Sequence, residues 1–392
     1  MFTLLTLLIT SSMTVMAGAA LAPDLPQIQI FFADVPRSAF WVKLMLTIPG
    51  LFTAIAAPFA GTIADRWGRK PLLLVSTFCY GVGGASGLVL SSIGGLLVGR
   101  ALLGLSVGGI MTASTALIAD YYHGPRRNQV MGIQASFMSF GGVVFLVLSG
   151  ALADLGWRLP FLIYLTAFVA FGMAIAFITE PPRPQTTPAS PDSPEPSPMP
   201  KELLATLGGI YVLTFLSMAT FYLVPVQLPF YLAELTQGQA SNAATGIAIA
   251  ALNLTSAVVA TGYRRIRERL GFTAISGLGF GAMAVGYGVI AIAPTYTIVL
   301  LGLVIAGMAL GLNVPNLNVW LNAVAPATVR GRAVGGLTTC LFLGQFMSPI
   351  LSQPVTDIVG TAATYAWFGG GLALLGAGLL GVPWLQHRVL KS

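Results

Sequence analysis

The amino-acid sequence predicts an all-α membrane protein of twelve transmembrane helices, arranged as two bundles of six. Three observations carry that prediction. Charged residues make up only 8% of the 392 positions and hydrophobic residues 56%, where a soluble domain carries roughly 25% charge. With a mean hydropathy of +0.84, the chain cannot clothe a fold in water, so lipid must replace water around most of it. Apolar runs long enough to cross about 30 Å of hydrocarbon recur twelve times. The second half of the chain also repeats the first at one fixed offset.

The twelve runs lie near 2–23, 42–62, 72–91, 95–118, 129–150, 160–178, 204–224, 242–262, 273–292, 297–318, 332–353 and 362–382. Ala20-Leu21-Ala22 at the end of the first run has the look of a cleavage site, but no basic residue precedes the apolar stretch as a signal peptide requires. The run is therefore expected to be a span. Orientation follows from Lys and Arg. The even-numbered connections and the C-terminus hold 15 of the 19 basic residues: Arg66, Arg69, Lys70, Arg126, Arg127, Arg183, Lys201, Arg264, Arg265, Arg267, Arg269, Arg330, Arg332, Arg388 and Lys391. Arg37, Lys43 and Arg158 fall on the opposite side, and Arg100 lies inside a span. Both termini are expected to be cytoplasmic, in a cytoplasmic (inner) membrane. The net charge of +7 is then a topology signal facing anionic lipid, and nucleic-acid binding is excluded.

Between Glu180 and Pro200, nine of 21 residues are proline, the composition of an extended tether. The expected organisation is a six-helix bundle over 1–179, a linker over 180–201 and a second bundle over 202–392. Shifting the second half by 203 residues superposes Leu25-Pro26 on Leu228-Pro229, Arg66 and Gly68 on Arg269 and Gly271, and Gly83 on Gly286. The same shift carries Gly99, Gly104 and Gly108 onto Gly302, Gly307 and Gly311, Arg127 onto Arg330, Gly132 and Gly141 onto Gly335 and Gly344, and Asp154 onto Asp357. Six spans per copy is an even number, so the copies insert the same way up. An axis along the membrane normal relates them, with a cavity expected between them that opens to alternate sides.

The segment Gly61-Thr-Ile-Ala-Asp65-Arg66-Trp-Gly68-Arg69-Lys70 resembles the signature G-x-L-A-D-R-x-G-R-K of the major facilitator superfamily. Gly61 is expected to allow close helix approach, Asp65 to cap or pair with a neighbouring helix end, and the basic residues to hold the loop in the cytoplasm. The resemblance implies that this loop, Gly61, Asp65, Arg66, Gly68, Arg69 and Lys70, latches the two halves in one state. Its second copy, Gly262 to Gly271, is degenerate. Arg100-Ala-Leu-Leu-Gly104-Leu-Ser-Val-Gly108-Gly109 is similar to the family's fourth-helix motif, and Gly150 to Phe161 to its turn between the fifth and sixth spans. A charge within a span is a functional hypothesis by default, and Asp24 is the one acid flanking the first span. An Asp24/Arg100 pair at matching depth is expected, and the resemblance implies a part in proton coupling. The alternative is an exposed Asp24 and an Arg100 that snorkels to the headgroups.

Residues able to hold a substrate cluster in a few spans. Gln134, Tyr211, Tyr222, Gln227, Asn253, Asn313, Asn316 and Gln345 are the substrate-binding candidates, with Thr214, Ser217, Thr220, Asn318, Thr338 and Thr339 beside them. Pro225, Pro229 and Pro315 are expected to break helical bonding and free carbonyls toward a cavity. Many of these polar groups are equally accounted for as glue between helices. The resemblance extends to bacterial drug and metabolite efflux permeases and implies a monomeric, proton-coupled secondary transporter of a small organic solute. A departure weakens the exporter reading: the fifth span keeps Gly132 and Gly141 but lacks the Gly-Pro pair of drug/proton antiporters. An importer or uniporter of a neutral metabolite, or a lipid flippase or transport-dead sensor on the same fold, stays open. No nucleophile/base pair or phosphate cradle marks an enzyme, two cysteines and two histidines support neither disulfides nor a metal cluster, and no cofactor is expected.

Overall fold

A computed structural model describes residues 2–182, 201–326 and 329–389. Arg183, Lys391 and most of the proline-rich linker lie outside those residues. Among them every regular element is helical, as expected where no water is present to satisfy an open backbone. Twelve helical segments are long and apolar enough to cross a membrane. In the first half they are α1 (Phe2–Phe31), α2 (Ser38–Trp67), α3 (Arg69–Leu88), α4 (Ile93–Tyr121), α5 (Gly124–Ala153) and α6 (Leu159–Phe177). In the second half they are α7 (Lys201–Leu235), α8 (Asn242–Arg267), α9 (Phe272–Ala291), α10 (Tyr296–Val324), α11 (Arg330–Val359) and α12 (Thr361–Val389). We call the side bearing the α2–α3, α4–α5, α8–α9 and α10–α11 connections the basic face, and the opposite side the far face.

The repeat recurs in space contact by contact. A Cβ on Gly83 of α3 would lie 2.7 Å from the carbonyl of Gly99 on α4, and one on Gly286 of α9 would lie 2.6 Å from that of Gly302 on α10. A Cβ on Gly104 would lie 2.3 Å from the Pro49 carbonyl, and one on Gly307 would lie 2.4 Å from that of Leu252. Each pair differs by the same 203 positions. Small residues let α3, α4 and α2 approach backbone to backbone, and α9, α10 and α8 likewise, where packing rather than water release must hold the helices.

Two expectations about the helices change. α1 and α7 run about ten residues past their predicted ends, to Phe31 and Leu235, because each resumes as helix after an irregular turn, at Ala20–Asp24 and at Tyr222. The prolines that follow, Pro26 and Pro225, sit in the first turn of the resumed helix, where a missing N–H leaves nothing unsatisfied. Pro229 and Pro315 do not interrupt their helices, so the expected breaks at both are corrected.

One apolar cluster joins the halves: Leu21, Leu25, Met45 and Leu146 pack in the same core as Val224, Leu228 and Ile249. These residues lie in the far-face portions of their helices. Ala20, Leu21 and Ala22 are buried to 1% exposure or less, which seats the first span inside the bundle. A second cluster, with Leu73, Tyr80, Leu103 and Ile110, belongs to the first half alone.

Candidate functional site

A cavity of about 430 Å³ lies between the halves, lined by Thr53 and Ala57 of α2, Gly108, Met111, Thr112, Thr115 and Ala119 of α4, Arg127 of α5, and Val334, Gly335, Thr338 and Phe342 of α11. Arg127 and Ala119 stand at the basic-face ends of their helices, so the cavity reaches that face. Its walls are mostly apolar with a few threonines, the make-up of a site for a small organic molecule. Arg127 is the one charged lining residue.

The far face is shut. Gly18 of α1 packs on Tyr222 and Gln345, and Gly50 of α2 on the Phe342 carbonyl and Gln345, all from the second half. The Asp154 carboxylate accepts the backbone N–H groups of Asn242 (2.6 Å) and Ala243 (3.2 Å), capping the N-terminus of α8 across the seam. Lys43, expected on the exposed far side, is instead 3% exposed. Its Nζ donates to Gln227 Oε1 and Gln353 Oε1, both at 2.6 Å. The sequence missed it because hydropathy reading cut the second span next to the charge, whereas α2 starts at Ser38. The signal was an apolar stretch on both sides of the lysine.

The expected Asp24/Arg100 ion pair is absent: the salt bridges among the described residues are Arg69–Asp120 and Arg264–Glu268. Arg100 is 1% exposed, which also excludes snorkelling. It donates to Tyr164 Oη (2.8 Å) and the Gly84 carbonyl (2.9 Å) and lies over the rings of Tyr164 and Phe161 at 4.7 and 5.0 Å. These contacts join α3, α4 and α6 through the guanidinium without a carboxylate, while its Nε is buried with no hydrogen-bond partner. Asp24 is fully buried, and neither carboxylate oxygen has a hydrogen-bond partner.

The Gly61–Lys70 loop is tied to its own half. Gly68 adopts φ +107°, a left-handed region that favours glycine. A Cβ there would also sit 2.7 Å from Glu180 Oε1. Glu180 accepts the N–H groups of Arg69 (2.8 Å) and Lys70 (2.6 Å), capping α3. Arg69 pairs with Asp120 of α4, and Lys70 Nζ donates to the Ile175 carbonyl at 3.1 Å. Gly61 has open space where a Cβ would be, so the expected close approach there is corrected. Asp65 and Arg66 are exposed. Asp65 makes no ion pair among the described residues, so its expected charge pairing is not formed in this structure. Glu180 and Asp120 were not legible as members of this group, because their partners lie more than 100 and 50 residues away, respectively.

With twelve spans, a duplicated bundle and a cavity lined by both halves on the page, comparison with known proteins decides the class. The family model described as "Major Facilitator Superfamily" matches residues 7–349 and 210–390. The chain belongs to the major facilitator superfamily. Among curated relatives, the multidrug resistance protein MdtG of Yersinia enterocolitica is 32% identical over 161 residues, 40% of this chain and 38% of that protein. The quinolone resistance protein NorA of Staphylococcus aureus is 24% identical over 164 residues, 42% of each chain. The matched region thus spans about two fifths of these relatives' length. Solved structures share the fold: the nucleoside transporter NupG (TM-score 0.77, 11% identity, 97% of this chain and 99% of that one), a D-xylose–proton symporter (0.75, 15%, 96% of each) and the human organic anion transporter MFSD10 (0.71, 19%, 97% and 99%). Members of this superfamily are transporters and not enzymes.

Within this superfamily fold the predicted polar candidates part company. Tyr222 and Gln345, both of the second half, face Gly18 of α1 beyond the cavity's Phe342. Gln227 binds Lys43 and donates to Ser352 Oγ at 3.0 Å. Gln134 is spent on Ser11 (2.7 Å), Tyr211 on the Ala333 carbonyl (3.0 Å), and Asn253 on the Ile249 carbonyl of its own helix (3.1 Å). Asn316 is locked by Phe272, Ser276 and Tyr263 at 2.8, 2.9 and 3.1 Å, so it joins α8, α9 and α10. Asn313 is buried against Gly279 with neither amide atom bonded. None of these eight lines the large cavity, whereas Thr338 does.

Proposed function

We propose that the protein is a proton-coupled exporter of small organic solutes, drugs or metabolites, working by alternating access in the cytoplasmic membrane as a monomer, with the basic face and both termini in the cytoplasm. The observation that carries this reading is the cavity of about 430 Å³ lined by both halves, reaching the basic face while the far-face seams are closed. A solute collected there from the cytoplasm leaves on the other side once the halves rock. The positive-inside distribution supports the orientation, and the printed names of MdtG and NorA support efflux of drugs.

Asp24 is the proton carrier in this proposal. A carboxylate with no partner, buried where the halves meet, is placed to exchange a proton when the far side hydrates. The Gly61–Lys70 loop then bridges the halves in the opposite state, in which the basic face closes. Substrate contacts fall to Met111, Thr112, Thr115, Thr338 and Phe342 in the open cavity, with Tyr222 and Gln345 at its closed end. Reconstitution in vesicles with an imposed pH gradient tests the proposal: solute must move against the proton flux and stop when the gradient is collapsed. If no solute responds to any gradient while lipid analogues cross, the flippase reading replaces it. One observation favours that second reading, an apolar groove of about 460 Å³ between α7, α11 and α12, lined by Leu216, Leu351, Trp367 and Phe368.

A further inference from the structure

The pseudo-twofold axis makes two far-face seams equivalent, α2 with α11 and α8 with α5, yet the sequence closes them by different means. Lys43 on α2 has Gly246 on α8 as its counterpart 203 residues on, and Gln353 on α11 has Gly150 on α5. The glycine seam is flush: a Cβ on Gly150 would lie 2.6 Å from the Asn242 carbonyl, and one on Gly246 would lie 2.6 Å from that of Leu146. Asp154 then ties its outer end to the start of α8.

The other seam is polar and splayed. Asp357, the counterpart of Asp154, does not cross to α2 but accepts from Gln353 Nε2 of its own helix at 2.7 Å. Between α2 and α11 stands a cavity of about 420 Å³ lined by Arg37, Ala39, Phe40, Gln353, Pro354 and Asp357. Below it the seam is held by the Lys43 ammonium, clasped by the two glutamine carbonyl oxygens at 2.6 Å and lying 4.3 Å from the centre of the Phe230 ring. All three partners belong to the second half. An ammonium in such a place loses its water and gains no carboxylate within ion-pair distance, so its direct partners are neutral dipoles, while Asp357, bonded to Gln353, and Glu234 attract it only from further off.

We propose that Lys43 is the bolt of the far gate: a positioning residue whose bonds to Gln227 and Gln353 hold the α2–α11 seam shut, while the backbone-packed α5–α8 seam remains in contact as the pivot. Charge-assisted hydrogen bonds are short-ranged and are replaced by water as soon as the halves part. The seam therefore has a sharply defined closed state and a cheap open one. Interdigitated glycine backbones offer no such exchange and stay packed. The inference does not depend on which solute is carried.

The test reads accessibility on both sides of the membrane. Thr47, one helical turn below Lys43, is fully buried with its hydroxyl unbonded, and Thr112 lines the open cavity. In a background with Cys79 and Cys340 replaced by serine, Thr47→Cys and Thr112→Cys are labelled separately with a membrane-impermeant maleimide from the far and basic faces. Lys43→Met is expected to raise labelling of position 47 at least tenfold and to lower that of position 112. Lys43→Arg keeps a donor on the same stem and is expected to label like the parent. A general loosening would raise both rates and overturn the proposal, as would unchanged rates. Should Lys43→Met fail to fold, the paired change Gln227→Leu with Gln353→Leu must give the same reciprocal shift. Adding Lys43→Met to that pair must then change nothing further, and an additive effect overturns the bolt.

Discussion

Replacing Arg100 and Asp24 singly and together separates the arrangement expected from sequence from the one the fold adopts. Arg100→Gln removes two hydrogen bonds from a buried cation, to Tyr164 and Gly84, each worth about 1.5–3 kcal/mol, and two ring contacts worth about 2 kcal/mol when desolvated. Relief of the desolvation of a buried charge, several kcal/mol, offsets part of that loss. The expected net destabilisation is about 2–4 kcal/mol. Asp24→Asn removes a carboxylate that has no partner, so it is expected to be neutral or stabilising. The coupling between the two sites is therefore expected to stay below about 0.5 kcal/mol, as for residues with no shared partner. A buried ion pair would instead give about 3–5 kcal/mol, because breaking either side strands a charge. Denaturant unfolding of the four purified proteins in detergent, followed by tryptophan fluorescence, supplies the cycle. If Asp24→Asn abolishes more than half of the cost of Arg100→Gln, the separate placement of the two residues is refuted.

Three further outcomes follow from the same geometry. Gly104→Ala drives a methyl to 2.3 Å from the Pro49 carbonyl and is expected to cost about 1–3 kcal/mol. Gly94→Ala, with open space around it, is expected to be neutral or to stabilise by up to about 1 kcal/mol. Thermal unfolding in detergent ranks the two. Thr112→Trp, which fills a cavity of about 430 Å³ from one wall, is expected to lower transport of bulky solutes at least tenfold while leaving stability within about 1 kcal/mol, checked by vesicle uptake beside unfolding. Asp24→Asn is expected to abolish accumulation driven by a pH gradient but to keep solute exchange at equal pH; loss of exchange as well removes Asp24 from the coupling step and makes it structural.

The fold was legible because its determinants are local or periodic. Apolar run length sets the spans, and the glycine register that superposes Gly83 on Gly286 and Gly104 on Gly307 returns as matching close approaches, where an added Cβ would lie 2.7 and 2.6 Å, and 2.3 and 2.4 Å, from the facing carbonyls. The site was legible only in part. Arg100 was correctly singled out as a buried charge, but its partners Tyr164 and the Gly84 carbonyl are an aromatic and a main-chain atom, which carry no charge signal. Of the polar residues in the spans, Asn316 and Gln134 serve other helices, since a polar group in hydrocarbon is satisfied equally well by a neighbour or by a cavity. Lys43 was misplaced for a different reason. Hydropathy treats a charge near a helix end as the end, whereas Gln227, read as a substrate contact, and Gln353, not singled out at all, make its burial tenable.

The duplication also explains why the ionisable groups sit where they do. At the 203-residue offset Asp24 corresponds to Gln227, Lys43 to Gly246 and Arg100 to Leu303. Both halves keep the glycines that pack their helices, yet among the described residues the buried charges, Asp24, Lys43 and Arg100, belong to the first half. The second half answers with neutral groups: Gln227 at the position of Asp24, and Gln353 at that of Gly150. A neutral acceptor can release a cation to water at little cost, where a carboxylate at the same place would hold it. Divergence of the two copies thus places the buried charges in one half and gives Lys43 neutral direct partners in the other, with Asp357 and Glu234 acting from further off, and that asymmetry is what the proposed gate needs to let go.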